Sequence, residues 1–395
     1  MRSYFIITFN YWSFTLTDGA LRMLVLLYFH QLGFSPIEIA MLFIFYEFFG
    51  VITNVVGGWI GAQIGLEKTM QLGLLLQIST MLVLSVPMEL LTVPLVMICQ
   101  GVSGIAKDLN KMSAKSSMKW LIRGEGTLYR VVSFLTGSKN TLKGIGFFLG
   151  AFLLEFFGFR GSVFLMAIAL GLVFFLSFLY LESGIGKSSG KIKFREIFSD
   201  SAYINILSLA RLLLFCARDV WFVIALPVWL TQEFSWSFWQ VGGYLAIWII
   251  FYGFFQIIGP RITGDTERYK TDRERLIIWS FALAFVPIGI ILLLNFWIFS
   301  AVVVSVGLLI FGLVFAANSI LHSYLIIRFS RSDGASVDVG FYYTANASGR
   351  LLGTILSGAL FQLFGMDACL FVSSFLLAGV TLVTLYLPKN YELIG

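Results

Sequence analysis

The chain has 395 residues, 58% of them hydrophobic and only 12% charged, with a mean hydropathy of +0.90; soluble domains carry roughly 25% charged residues. This composition excludes an ordinary soluble enzyme or nucleic-acid-binding domain, and the net charge of +6 reads as a topology signal rather than an affinity for polyanions. Cys99, Cys216 and Cys369 all fall in apolar runs, so no disulfide framework is indicated, and neither His30 nor His322 has metal-ligand spacing around it. No cofactor or metal is expected.

Apolar runs of about 20 residues, enough helix to cross roughly 30 Å of hydrocarbon, recur about twelve times. The first, Tyr4 to Leu32, carries Asp18 and Arg22 and lacks a small-residue cleavage site, so it reads as a span rather than a signal peptide. Ile37 to Ile64 follows, with Glu47 and the closely spaced Gly57, Gly58, Gly61 and Gly65 suited to helix contact. Then come Met70 to Pro87, Thr92 to Met112, Leu128 to Phe157 and Gly161 to Leu181. The second half gives Ile204 to Leu230, Phe238 to Ile262, Leu276 to Leu294, Phe296 to Ile327, Val337 to Phe364 and Cys369 to Leu387. Nothing is left over for a soluble domain.

Orientation follows from Lys and Arg in short loops. One set of alternate loops holds Lys68, Lys119, Arg123, Lys187, Lys191, Lys193, Arg195, Arg268, Lys270, Arg273, Arg275, Arg328 and Arg331, whereas the other holds Arg160. Both termini are therefore expected on the cytoplasmic side of an inner, cytoplasmic membrane. The polar stretch around Gly184-Ile-Gly-Lys-Ser-Ser divides the chain into residues 1–182, a cytoplasmic linker over 183–200 and residues 201–395. It lacks the upstream glycine and strand of a phosphate-binding loop.

The two halves echo each other. At an offset of 207, Lys143 aligns with Arg350, Gly146 with Gly353, Phe157 with Phe364 and Gly158 with Gly365. An even number of spans per half keeps the repeats parallel. The expected fold is an all-α membrane protein of twelve transmembrane helices in two six-helix pseudo-repeats, as in major facilitator transporters, with substrate near the midplane.

Charges inside the spans define the chemistry. Arg22, Lys107, Lys111, Lys139, Lys143, Arg211, Arg218 and Arg350 face Asp18, Glu47, Asp108 and Asp219, and inserting those cations alone costs on the order of 20 kcal/mol. Lys107, Lys111 and Lys115 recur every four residues, on one helix face. Asp18 and Arg22 share a face too, a spacing that suits local neutralisation. Arg218 and Asp219 point about 100° apart, so each is expected to meet a neighbouring helix, and Lys115 and Lys119 are expected to snorkel to the cytoplasmic surface. The cation excess suits a small multivalent anion, with Arg supplying the planar fork that fits phosphate-like oxygens. Lys143 and Arg350, one from each half, are candidates for a two-sided clamp, with Asn110 and Asn140 as further ligand donors. Asp18, Asp108 and Asp219 would hold the bases of an empty cavity. Glu47 is either a proton carrier or a packing residue, and proton antiport, phosphate exchange and uniport all remain open.

Gly101-Val-Ser103-Gly104 matches a short serine motif of intramembrane proteases, but His322 lies six spans away and the flanking lysines do not suit peptide cleavage. A receptor or scaffold would leave the buried charge excess unexplained.

Four segments carry a specific resemblance: Asn10 to Met23, Gly104 to Ser117, Thr136 to Gly144 and Ala217 to Phe222. Together they resemble the ArsJ family of organoarsenical efflux permeases in the major facilitator superfamily, over essentially the whole chain. Gly58-Trp-Ile-Gly-Ala-Gln-Ile-Gly65 keeps the glycines of the superfamily signature but has Ala62 where an acid is usual and Gln63 where a base is usual. The resemblance implies export of 1-arseno-3-phosphoglycerate, with glyceraldehyde-3-phosphate dehydrogenase as the functional partner that supplies it, and hence arsenate resistance. A passenger with one phosphate and one arsenate ester carries about three to four negative charges, in keeping with the cation excess. Ordinary organophosphates share that argument. The dispersed cysteines argue against trivalent arsenic, a thiol ligand chemistry.

Overall fold

A computed structural model describes residues 2–34, 41–122, 124–188, 199, 201–236, 238–263, 271–296, 300–332 and 334–387. Among them there is helix and no strand, as hydrocarbon demands of a chain that must satisfy its backbone polar groups internally. Ile37, Arg123, Lys191, Lys193, Arg195, Arg268 and Lys270, all used above to place spans or loops, lie outside the described residues.

The helices are α1 (Arg2–Gln31), α2 (Ile44–Ile64), α3 (Leu66–Leu84), α4 (Val93–Leu121), α5 (Glu125–Tyr180), α6 (Ala202–Phe222), α7 (Ala225–Phe234), α8 (Phe238–Ile257), α9 (Gly259–Thr263), α10 (Asp272–Phe296), α11 (Ser300–Phe329) and α12 (Ala335–Thr384). At 1.5 Å per residue the 56 residues of α5 would reach roughly 84 Å, far beyond one hydrocarbon thickness. They are two spans joined at Gly158, whose φ of 64° and ψ of 178° interrupt the helix. Gly365, at φ 78° and ψ −169°, does the same in the 50 residues of α12.

Two expected spans are broken. The seventh is α6 followed by α7, and the eighth is α8 followed by the short α9. Pro227 and Pro260 lack an N–H, and each ring crowds the carbonyl four residues back, at Val223 and Gln256. The Ala225 N–H at the first break is taken up by Ser357 Oγ at 3.0 Å. The fourth span is longer than expected: α4 runs unbroken past Met112, so Lys107, Lys111 and Lys115 share one helix.

The chain forms two compact units. The first comprises Met1–Val131, Ser138–Phe198 and Ser330–Thr344; the second comprises Val132–Gly137, Ser199–Phe329 and Ala345–Gly395. In the first, a core built from Leu21, Leu24, Met81, Val96, Leu153 and Val163 includes the start of α4, which packs closely on α2 and α3. A Cβ on Gly73 would lie 2.9 Å from the Ala106 carbonyl, and one on Gly57 2.9 Å from Leu109 Cδ2. In the second, Trp221, Trp248, Phe311 and Phe315 anchor the core. Large apolar side chains such as Phe156 and Phe375 stay exposed, as expected of helices that face lipid.

Equivalent glycines do equivalent work. A Cβ on Gly146 would meet the Leu16 carbonyl of α1 at 2.6 Å, and one on Gly353 the Cys216 carbonyl of α6 at 2.7 Å. The start of the linker docks on the α2–α3 turn: Leu66 N donates to Ile185 O at 2.8 Å, Ser188 N to Ala62 O at 2.9 Å, and Gly184 N to Glu67 Oε1 at 2.8 Å.

Candidate functional site

In the first unit, α1, α2 and α4 gather a charged cluster. Asp108 is buried and lies between two ammonium groups, Lys107 Nζ at 3.5 Å from Oδ2 and Lys111 Nζ in a short contact with Oδ1. Gly50 makes room for it, because a Cβ there would lie 2.7 Å from Asp108 Oδ2. Tyr46 sits beside this group. Its hydroxyl donates to both Asp18 oxygens, at 2.8 and 2.9 Å, and its ring carries Arg22 Cζ at 4.3 Å and Lys107 Nζ at 3.9 Å from the centroid. Arg22 pairs with Glu47 at 3.3 Å. Further along the stripe, Lys115 Nζ donates to Tyr343 Oη at 2.6 Å.

The second unit repeats the plan with arginines, from α6, α11 and α12. Asp219, fully buried, takes Arg218 Nε at 2.5 Å on one oxygen and Arg350 Nε at 3.3 Å on the other. Arg211 Nε donates to Asn346 Oδ1 at 2.9 Å, and its NH1 donates to the Ser319 carbonyl and hydroxyl at 3.1 and 3.2 Å. The Phe215 ring carries both Arg211 Cζ at 4.1 Å and Arg218 Cζ at 4.7 Å. Each unit thus contains a buried carboxylate straddled by two cations and an aromatic ring flanked by two cations, an attraction of about 0.5 to 2 kcal/mol per contact.

Several expected pairings are redrawn. Asp18 takes the Tyr46 hydroxyl rather than Arg22, because α2 brings a donor to its side, and Arg22 turns to Glu47. Arg218 pairs with its own neighbour Asp219 and also meets α11, where its Cζ lies 5.4 Å from the Phe315 ring centroid, while Asp219 meets α12 through Arg350. Lys115 does not snorkel: it is 4% exposed, since α4 continues inside the unit for two further turns. Lys139 donates to Asn140 Oδ1 at 3.3 Å, and Lys143 is half-buried on α5. Asn110 packs against α3 beside Gly73, with its amide nitrogen and oxygen buried and unpartnered.

Tyr46, Tyr343, Phe215, Ser319 and Asn346 complete these clusters, and sequence reasoning missed them as partners. Ser103 is consumed by Gln77, to whose Oε1 it donates at 2.8 Å, and His322 belongs to the other unit. A cavity of about 340 Å³ between α10 and α11, lined by Val286, Ile290, Leu293, Val303 and Ile310 among others, offers no donor to an oxyanion.

The family model of the Major Facilitator Superfamily matches residues 4–353. No curated protein matches the chain in sequence. Among solved structures, the human organic anion transporter MFSD10 (TETRAN) is similar with a TM-score of 0.77 at 15% identity, covering 97% of this chain and 99% of that one. The proton:xylose symporter XylE gives 0.77 at 13% identity, covering 98% and 96%. A bacterial homologue of the iron transporter ferroportin, in an outward-facing state, gives 0.75 at 14% identity, covering 98% and 99%. At such identities the likeness speaks for the fold.

Proposed function

The chain belongs to the major facilitator superfamily, a multi-pass membrane transporter of small substrates and not an enzyme, and on that premise we propose that it exports a small multivalent organic anion, 1-arseno-3-phosphoglycerate. The observation that carries the reading is the duplicated cluster: Asp108 between Lys107 and Lys111, and Asp219 between Arg218 and Arg350. In both clusters cations outnumber carboxylates. An oxyanion that joins either one replaces charge repulsion with charge-assisted hydrogen bonds, about twice as strong as neutral ones.

The four segments that resemble organoarsenical permeases carry Arg22, Lys107, Lys111, Lys115, Lys139, Lys143 and Arg218, so the resemblance and the charge argument bear on the same side chains. Glyceraldehyde-3-phosphate dehydrogenase would supply the passenger in the cytoplasm, and the inner membrane, with both chain termini inside, is the matching location. Rocking of residues 1–182 against 201–395 about the linker over 183–200 would give alternating access. Lys143 and Arg350, at equivalent places in the two halves, would clamp one passenger, with Asn110 and Asn140 adding polar donors.

A second reading, transport of ordinary organophosphates, rests on the same duplicated cluster, because a phosphate ester presents similar oxyanion charge to the same cations. Everted vesicles distinguish the two. Uptake of the freshly made arsenylated ester is expected to fall at least about tenfold in Lys143→Gln and in Arg350→Gln, the loss of a charged hydrogen bond, at unchanged membrane expression. Competition by 3-phosphoglycerate at equal potency would favour the organophosphate reading, and unchanged uptake in both variants would reject the clamp.

A further inference from the structure

Tyr343 stands at an unusual junction. It lies in Ser330–Thr344, the stretch of the second sequence half that belongs to the first compact unit. There the opening turns of α12 meet α2 backbone to backbone: a Cβ on Gly58 would lie 2.5 Å from the Ser336 carbonyl, and one on Gly340 2.5 Å from the Asn54 carbonyl. The start of α12 is internally braced, with Asp338 accepting from Arg331 N, Nε and NH2 at 2.8, 3.1 and 2.9 Å. Tyr343 then ties this braced segment to the lysine stripe of α4. Its hydroxyl accepts from Lys115 Nζ at 2.6 Å, and its ring lies under Lys111 and Lys115 at 4.6 and 5.0 Å.

A buried ammonium needs an acceptor, and the choice of acceptor decides how readily it is given up. A carboxylate would hold Lys115 by opposite charge, whereas a neutral phenol satisfies it and yields to an oxyanion, whose charge-assisted bonds are the stronger. We propose that Tyr343 is a positioning residue that reports occupancy of the lysine stripe to the α2–α12 contact: an oxyanion bound by Lys111 and Lys115 draws the ammonium off the Tyr343 hydroxyl and loosens the first turns of α12 from α2 and α4. The role rests on the anion reading above.

The test uses the full-length protein with Ser336→Cys, buried against α2 in the intact contact, as a reporter of maleimide labelling, and 3-phosphoglycerate as the probe. With Tyr343 present, the probe is expected to raise the labelling rate. In Tyr343→Phe, and equally in Lys115→Gln, labelling is expected to be about tenfold faster without probe, the effect of losing a hydrogen bond to a charged group, and to respond little when probe is added. Probe binding, read as thermal stabilisation of the same samples, is expected to persist in Tyr343→Phe and shows that the variant is folded. Binding with a normal labelling response in Tyr343→Phe would overturn the role of Tyr343 alone. Absence of binding to the parent protein, by 3-phosphoglycerate and by the freshly made arsenylated ester alike, would overturn the anion reading and this role with it.

Discussion

At the scale of single residues, the two buried carboxylates are the pivots. Removing one partner of a buried ion pair typically costs about 3 to 5 kcal/mol, because the other charge is left uncompensated. Asp219→Asn removes the carboxylate that Arg218 and Arg350 share, and since Arg350 is partly exposed the expected loss lies near the lower end, about 3 kcal/mol, read as a fall in the thermal unfolding midpoint in detergent. If the cluster receives oxyanions, inorganic phosphate should then stabilise Asp219→Asn more than the parent protein, by standing in for the lost carboxylate. Equal stabilisation of both would place the anion elsewhere. The charged members of these clusters were legible in the sequence, because a cation within an apolar run is costly wherever it points. Their partners were not: phenol hydroxyls and ring faces have no spacing rule, and 15 Tyr and 41 Phe hide the few that matter. Even the Asp18 and Arg22 spacing misled, since an i, i+4 relation on one helix says nothing about the donor Tyr46 that α2 presents.

Helices are where the sequence was read most fully. Breaks near residues 158 and 365 follow from apolar length alone, and both fall on glycine for a conformational reason. With φ positive and ψ near 180°, these backbones lie in a region essentially reserved for glycine, where another residue costs about 1 to 3 kcal/mol. Nothing lies within 4 Å of a Cβ at either position, so Gly158→Ala and Gly365→Ala isolate the backbone term. Each is expected to lower the unfolding midpoint, by a similar amount, whereas Gly171→Ala, also with open space around it but in regular helix, should not. The proline breaks after α6 and α8 were written in the chain at Pro227 and Pro260, yet a hydropathy window averages across them and merges two helices into one span. Length was misjudged at α4 for the opposite reason. Its lysines and serines lower the hydropathy beyond Met112, but the helix continues because its neighbours in the unit, not lipid, surround it.

For the whole molecule, the repeat gives a common plan and the charge balance gives a driving force. The described carboxylates of the two clusters all have partners: the Tyr46 hydroxyl for Asp18, Arg22 for Glu47, two lysines for Asp108 and two arginines for Asp219. On the proposed export reading the passenger leaves with about three negative charges. A membrane that is negative inside favours the movement of each charge by about 2.3 kcal/mol per 100 mV, so roughly 7 kcal/mol for the passenger, a concentration ratio on the order of 10⁵. Export of such an anion needs no proton, whereas import would work against that same field. In everted vesicles, whose lumen corresponds to the cell exterior, a lumen-positive potassium diffusion potential at equal pH is therefore expected to drive accumulation of the arsenylated ester. A pH gradient with the potential clamped at zero should not. Accumulation that follows the pH gradient instead would put a titrating carboxyl in the cycle, and Glu47→Gln, at the most exposed of the four clustered acids, would be the first variant to separate proton coupling from anion binding.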